Sequence, residues 1–147
     1  VGFNTEEIEN IMRNTKNDLI IDISKLILKA ANESNELWNY AGYVFETEDG
    51  ENSTGSVFSF KNGIRQRMSI YENIELLTDK FKELRKLTLV EGDNYWIKCN
   101  LIVRKSDGKM KMLFEFDDWS KWKVTPGNFD RAYEVLVGDL FSEILKG

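Results

Sequence analysis

The segment YWIKCNLIVRKSDGKMKMLFEF, residues 95–116, constrains the fold more than any other part of the sequence. Apolar and polar side chains alternate on both sides of a central Asp-Gly pair, and a period of two is typical of β-strands. Asp-Gly is also a preferred pair for a tight hairpin turn. The segment therefore predicts an antiparallel hairpin with one apolar face and one polar face. The apolar face comprises Tyr95, Ile97, Cys99, Leu101, Val103, Met110, Met112, Phe114 and Phe116, and the polar face Lys98, Asn100, Arg104, Lys109, Lys111 and Glu115.

A second hairpin is predicted earlier in the chain. Residues 38–45, WNYAGYVF, are rich in the aromatic and β-branched side chains that favour strands. The return strand SVFSF places Phe58 and Phe60 on one face, and a turn at residues 61–63 closes it. Between the two strands, TEDGENSTG combines glycines with acidic residues, which predicts a hairpin loop.

Three segments show the three- and four-residue spacing of amphipathic helices. The first covers residues 4–32, with Asn4 or Thr5 as its N-cap, and is either continuous or divided near Asn14. The second covers residues 71–87. The third is predicted to begin at Thr125-Pro126, because a threonine cap followed by proline at the first helical position is favoured.

The predicted element order is α-ββ-α-ββ-α, which indicates an α+β fold in one domain spanning residues 1–147. Two hairpins joined side by side give a four-stranded antiparallel sheet, and we expect helices to cover one face of it. No apolar run approaches the roughly 18 residues of a membrane span. No signal peptide is evident either, so we expect a cytoplasmic protein without membrane contact.

The chain contains no histidine, which restricts the chemistry open to it. Histidine-dependent nucleophilic catalysis is excluded, and the commonest zinc ligand is missing. The only cysteine, Cys99, lies in an apolar strand pattern and is interpreted as a buried structural residue. We therefore expect no catalytic residue, no metal site and no cofactor.

The carboxylates of FEFDD, residues 114–118, nevertheless allow one enzymatic alternative. Glu115 and Asp117 would share the outward face of a strand and could bind a magnesium ion, as in a metal-dependent nuclease, with Asp107 completing the set. The simpler interpretation is that these acids pair with Lys109 and Lys111 across the strands. A module that binds a small molecule or a peptide is a further alternative.

Two acidic stretches are the candidate contact surfaces for a protein partner. A net charge of −5 argues against direct nucleic-acid binding, which requires a basic surface, and suits a basic partner instead. Tryptophan in a connector either covers the core or anchors a partner. The candidate contacts are Glu46, Glu48, Asp49 and Glu51 in the first loop, and Asp117, Asp118, Trp119 and Trp122 in the second stretch.

Three strings, WNYAGYVFETEDGENSTGSVFSF, LRKLTLVEGDNYWIKCNLIV and GKMKMLFEFDDWSKW, resemble the YezG-like family of immunity proteins, or antitoxins. These proteins accompany secreted polymorphic toxins, including bacterial contact-dependent growth inhibition systems. The resemblance covers roughly residues 5–123. It implies a non-enzymatic cytoplasmic protein that binds the C-terminal toxin domain of its own system, a basic nuclease being the expected class, and occludes its active or substrate-binding site.

Overall fold

The computed structural model describes residues 4–34, 37–89 and 94–146. Its first element, helix α1, covers Thr5–Ser34 without interruption, so the predicted helix is confirmed and is not divided near Asn14. Asn4 caps it, because its Oδ1 accepts the Glu7 N–H at 2.8 Å while its Nδ2 donates to Glu7 Oε1 at 3.1 Å. The first bond satisfies one of the backbone N–H groups that a helix start leaves without a partner, and the second joins the two side chains.

The sheet contains five antiparallel strands rather than the predicted four. In chain order the strands are β1 (Tyr40–Thr47), β2 (Ser53–Lys61), β3 (Ile64–Gln66), β4 (Lys98–Arg104) and β5 (Met110–Glu115). Their spatial order is β3-β2-β1-β4-β5. Strand β3 has only three residues and so shows no alternation. It follows a tight turn in which Asn62 and Gly63 both have positive φ, 49° and 80°, as a two-residue type I′ hairpin requires.

One face of the sheet packs against α1 and helix α2 (Ile74–Leu87), which follows a short 3₁₀ turn at Tyr71–Asn73. The rings of Phe45 and Phe81 stack there with their centroids 5.0 Å apart. Leucine and isoleucine side chains of both helices fill the rest of this first core. Its fully buried members include Ile23, Ile27, Leu77, Phe81, Leu84, Phe45, Cys99 and Leu101.

The opposite face is also covered, so the prediction of helices on one face is wrong. The C-terminal region, with 3₁₀ turns at Phe129–Arg131 and Ser142–Leu145 around helix α3 (Ala132–Val137), forms a second core there. Strands β1 and β4 therefore lie between two layers. Lys98 and Asn100, predicted on a polar face, are in fact buried, with 1% and 0% of their surface exposed. The second core consists mainly of Tyr40, Val44, Phe58, Phe60, Ile102, Leu136, Val137 and Phe141.

The last helix begins six residues later than predicted, at Ala132 instead of Pro126. Thr125 does not cap it: the Thr125 N–H donates to Asn128 Oδ1 at 2.7 Å and the Asn128 N–H to the Thr125 carbonyl at 3.1 Å. These bonds form a β-turn with Pro126 at its second position, a site where the fixed φ of proline is equally favourable. Threonine followed by proline thus fits two local structures, and here the two bonds between Thr125 and Asn128 stabilise the turn.

Candidate functional site

The topology brings both acidic stretches to one end of the sheet. Strands β1 and β5 end there, at Thr47 and Glu115, and β4, which lies between them, begins there at Lys98. Two strand spacings, about 10 Å, separate β1 from β5. We call this surface the acidic end and define it by residues 46–52, 94–95 and 115–122. The two stretches were predicted as separate candidate contacts, and the register of β1, β4 and β5 shows that they are neighbours.

The loop after β1 is held in place by its own carboxylate. Asp49 Oδ1 accepts the N–H groups of Glu51 and Asn52, each at 2.8 Å, and these bonds lower the pKa of Asp49. Gly50, with φ of 82°, donates its N–H to Thr47 Oγ1 at 2.9 Å. Asp49 is therefore the residue that shapes the loop, while Glu48 and Glu51 are exposed beside it.

Two basic side chains of α2 bind backbone carbonyls of the same loop. Arg85 donates to the carbonyls of Glu48 and Trp96, at 3.3 and 2.8 Å, and Lys82 donates to the carbonyl of Glu51 at 2.6 Å. The Arg85 guanidinium also lies over the Tyr95 ring, 4.6 Å from its centroid. Because these cations bind backbone carbonyls, the loop is fixed while its carboxylates remain available to solvent.

The connector after β5 is organised by Glu115. Its Oε2 accepts the N–H groups of Phe116, Asp117 and Asp118 at 3.1, 3.3 and 3.3 Å, which lowers the pKa of Glu115. Asp118 Oδ1 in turn accepts the N–H and the hydroxyl of Ser120 at 2.9 and 2.6 Å, which lowers the pKa of Asp118. Glu115 and Asp117 do not share one strand face, because β5 ends at Glu115 and the chain bends there, although their carboxyl groups remain close neighbours.

The set of acids considered for magnesium is not assembled. Asp107 lies in the loop at the other end of the β4–β5 hairpin, about 20 Å from Glu115 along the strand, and pairs with Arg104 at 2.7 Å. Within the described ranges no group of three or more Asp, Glu, Cys or His side chains is placed to hold a metal ion. The predicted pairing with Lys109 and Lys111 is wrong as well, since the residue opposite Glu115 is Lys98.

The two tryptophans of the connector have different roles. Trp122, with φ of 57°, is only 6% exposed, belongs to the second core, and donates its indole N–H to Asp139 Oδ2 at 3.1 Å. It is therefore not available as a contact residue. Trp119 is 42% exposed. Of the two predicted contacts, only Trp119 lies on the surface.

Two exposed aromatic residues of the acidic end were not predicted. Phe116 is 51% exposed and Tyr95 is 40% exposed, although alternation placed both on the apolar face. Each lies just outside a strand, where the alternation no longer determines the direction of a side chain. The sequence does not show where these two strands end. Strand β5 ends at the bend formed by Glu115, and β4 begins only after Trp96, whose carbonyl binds Arg85.

Lys98 joins the parts of the acidic end. Its Nζ donates to the carbonyls of Trp119 and Lys121 at 2.5 and 2.9 Å and lies 3.8 Å from the Glu46 carboxylate. Burial lowers the pKa of Lys98, and the nearby Glu46 opposes that effect. This one amine thus links β1, β4 and the connector. Lys98 was not predicted as a site residue, and its only signal in the sequence is a lone lysine inside an apolar strand.

The exposed face of the acidic end combines negative charge with aromatic surface. Lys121 is engaged by Asp139 at 3.0 Å, so it does not neutralise the neighbouring acids fully. Both kinds of group lie at the same end of the sheet, on segments whose backbone is held by hydrogen bonds. The exposed carboxylates are Glu48, Asp49, Glu51, Asp117 and Asp118, and the exposed aromatic residues are Tyr95, Phe116 and Trp119.

The hydrogen bonds to Glu115 predict a specific pH dependence. The pKa of Glu115 is lower in the folded protein than in the unfolded chain, where it is near 4.5. The carboxylate therefore stabilises the folded connector at pH values above 4.5, and this contribution is lost as the pH falls through the pKa of the folded state. We expect the amide proton shifts of Phe116 and Asp118 to titrate together below pH 4.5 in an NMR titration. In Glu115→Gln this joint step should disappear. Amide shifts that titrate unchanged in Glu115→Gln would contradict the assignment.

In the part of the chain that the structure describes, no helix has the length and apolarity needed to cross a membrane. A scan against models of protein families and a search of curated proteins each found no match to the chain.

Proposed function

We propose that this protein is an immunity protein that binds a secreted toxin domain, a basic nuclease, and occludes its active or substrate-binding site with the acidic end. One observation carries the proposal: exposed carboxylates and exposed aromatic side chains from separate parts of the chain lie at the same end of the sheet. The sequence resemblance to YezG-like immunity proteins supports the same function. The protein would act in the cytoplasm of the cell that produces the toxin.

The chemistry of this surface suits such a partner. A nuclease needs Lys and Arg side chains to hold phosphate groups, and carboxylates form charge-assisted hydrogen bonds with the same side chains. Aromatic residues supply the buried anchors that dominate the energy of many interfaces. The backbone bonds of Asp49 and Glu115 fix both stretches before binding, which reduces the entropy lost on association.

The test is a calorimetric titration against the toxin domain encoded in the neighbouring reading frame, at two salt concentrations. We expect tight binding that weakens with salt, and we expect the double variant Glu48→Lys/Glu51→Lys to lose about 100-fold in affinity or more, because two attractions become repulsions. Neither side chain holds the loop: the Lys82 bond is to the backbone of Glu51. The fold should therefore be unchanged.

The matched control is Glu33→Lys/Glu134→Lys, which makes the same change of charge at exposed residues outside the acidic end. Its affinity should stay within a few-fold of the original protein. Equal losses in the two double variants would show that only net charge matters and would contradict an interface at the acidic end. Absence of toxin binding, together with magnesium-dependent cleavage of DNA by the purified protein, would favour the nuclease alternative instead.

A further inference from the structure

The outer edge of β2 is largely uncovered. Strand β3 pairs only with Ser59, Phe60 and Lys61, so residues 53–57 of β2 have β1 on one side and no described strand on the other. After β3 the chain turns away, because the Ser69 N–H donates to Ser34 Oγ at 3.2 Å and the next residue is buried in the first core. About 17 Å of strand edge is left without a neighbouring strand.

The backbone of this edge points outward in a regular pattern. Arg65 Nη2 donates to the Val57 carbonyl at 3.2 Å, so the Val57 backbone faces away from β1. Alternate residues of a strand direct their backbone groups to the same side, which places those of Ser53 and Gly55 outward too. Natural edges are usually protected by lysine, proline or a bulge. Residues 53–56, with the sequence STGS, contain no lysine or proline, and their register with β1 contains no bulge.

A pocket lies against each face of the same edge. On the side of α1 and α2, a pocket of about 280 Å³ is lined mainly by apolar side chains, among them Tyr43, Val57, Met68, Ile70 and Ile74. On the side of α3, a cleft of about 370 Å³ is lined by Lys98, Arg65, Lys123 and Glu46, with Val44 and Trp122. Since successive side chains of a strand point to opposite faces, a strand added here would direct them alternately into the two pockets.

The charged side chains of the cleft indicate which strand sequence would fit. The cleft contains three cationic side chains and one carboxylate. Two of the three Lys98 Nζ donors are used by the carbonyls of Trp119 and Lys121, and the third has Glu46 only at 3.8 Å. Lys98 is itself buried, so a carboxylate entering the cleft would meet the exposed side chains of Arg65 and Lys123. The apolar pocket, in contrast, offers a place for an aliphatic side chain.

We propose that an extended segment of a partner protein, in which acidic and apolar side chains alternate, adds to the edge of β2 as a further strand. Backbone hydrogen bonds to Ser53, to Gly55 and to the Val57 N–H supply affinity, while the Val57 carbonyl keeps its bond from Arg65, and the two pockets supply specificity. If the proposed function is correct, this segment belongs to the neutralised toxin domain, and this assignment rests on that function. The edge, the pocket and the cleft do not depend on it.

The test uses a capped heptapeptide in which Glu and Val alternate, followed by NMR hydrogen exchange on the whole protein. We expect saturable binding, with exchange slowed at the amides of Ser53, Gly55 and Val57. Exchange at Thr54 and Ser56 should not change, because those amides already face β1. A peptide of alternating Lys and Val, and one of the same composition with its Glu and Val residues in blocks, should both bind at least tenfold more weakly, since like charges repel in the cleft and the order no longer matches the two faces.

Lys123→Glu should weaken binding of the Glu–Val peptide about tenfold by placing a like charge on the cleft. Lys25→Glu, on the exposed side of α1, makes the same change elsewhere and should leave it unchanged. Absence of binding up to millimolar peptide, equal binding of the block peptide, or protection outside residues 53–57 would overturn the inference. Toxin neutralisation without peptide binding would reject the edge alone, whereas peptide binding without neutralisation would reject the proposed function alone.

Discussion

The Trp122→Ala variant should lose about 3–5 kcal/mol of unfolding free energy, among the largest effects of any single substitution in the chain. Trp122 is 6% exposed, packs in the second core, and donates its indole N–H to Asp139. Alanine would leave a cavity between the sheet and α3, and Asp139 would lose one hydrogen-bond donor. Urea unfolding followed by circular dichroism measures the loss.

Trp119→Ala is the matched control, because it removes the same side chain three residues earlier from a surface position. We expect its unfolding free energy to change by less than about 0.5 kcal/mol. Its affinity for the toxin domain should instead fall about 30-fold, the effect of losing an interface anchor worth about 2 kcal/mol. If both variants were equally destabilised, the separation of a structural from a contact tryptophan would be wrong.

Gly42→Ala should be similarly damaging, with a loss of about 3 kcal/mol in the free energy of unfolding. Gly42 lies in the middle of β1, where an added Cβ would stand 2.6 Å from the Leu101 carbonyl oxygen, 2.7 Å from Phe58 Cζ and 2.9 Å from Ile102 Cγ1. The first of these atoms belongs to the backbone of a paired strand and cannot move alone. The methyl group therefore has to separate β1 from its neighbours or displace the Phe58 ring.

Gly127→Ala provides the comparison for that substitution. An added Cβ at Gly127 has Thr125 Oγ1 at 3.7 Å as its nearest contact, which is an ordinary van der Waals distance. Thermal and urea unfolding should therefore place this variant within about 0.5 kcal/mol of the original protein. A Gly42→Ala variant as stable as Gly127→Ala would show that the sheet yields more easily than its close packing indicates.

The elements that sequence predicted well are those whose signal is local. The Asn4 cap needs only the next three residues, and the separation of Phe58 and Phe60 from Val57 and Ser59 follows from alternation alone. Helix and strand periods therefore gave the α+β class correctly. The mistaken details depend on contacts between residues far apart in the chain.

Strand β4 illustrates that limit. Its alternating pattern gives two faces, but alternation does not say what covers the second face, and Lys98 and Asn100 are buried by a segment at least twenty residues later in the chain. Asn100 satisfies its Nδ2 with the Leu136 carbonyl at 2.8 Å, a partner that no spacing rule connects to it. The acidic end was predicted as two separate stretches for the same reason, since only the register joins them.

The two-sided packing of the sheet has a consequence during synthesis of the chain. When the ribosome has released only the residues up to the end of β5, all five strands and the two longer helices are present, but the cover of the second face is still to come. Tyr40, Phe58 and Ile102 would then form a bare apolar surface. The nascent protein therefore passes through a stage at which chaperones have a binding surface. A chain that ends at a stop codon between β5 and α3 would keep this apolar surface exposed.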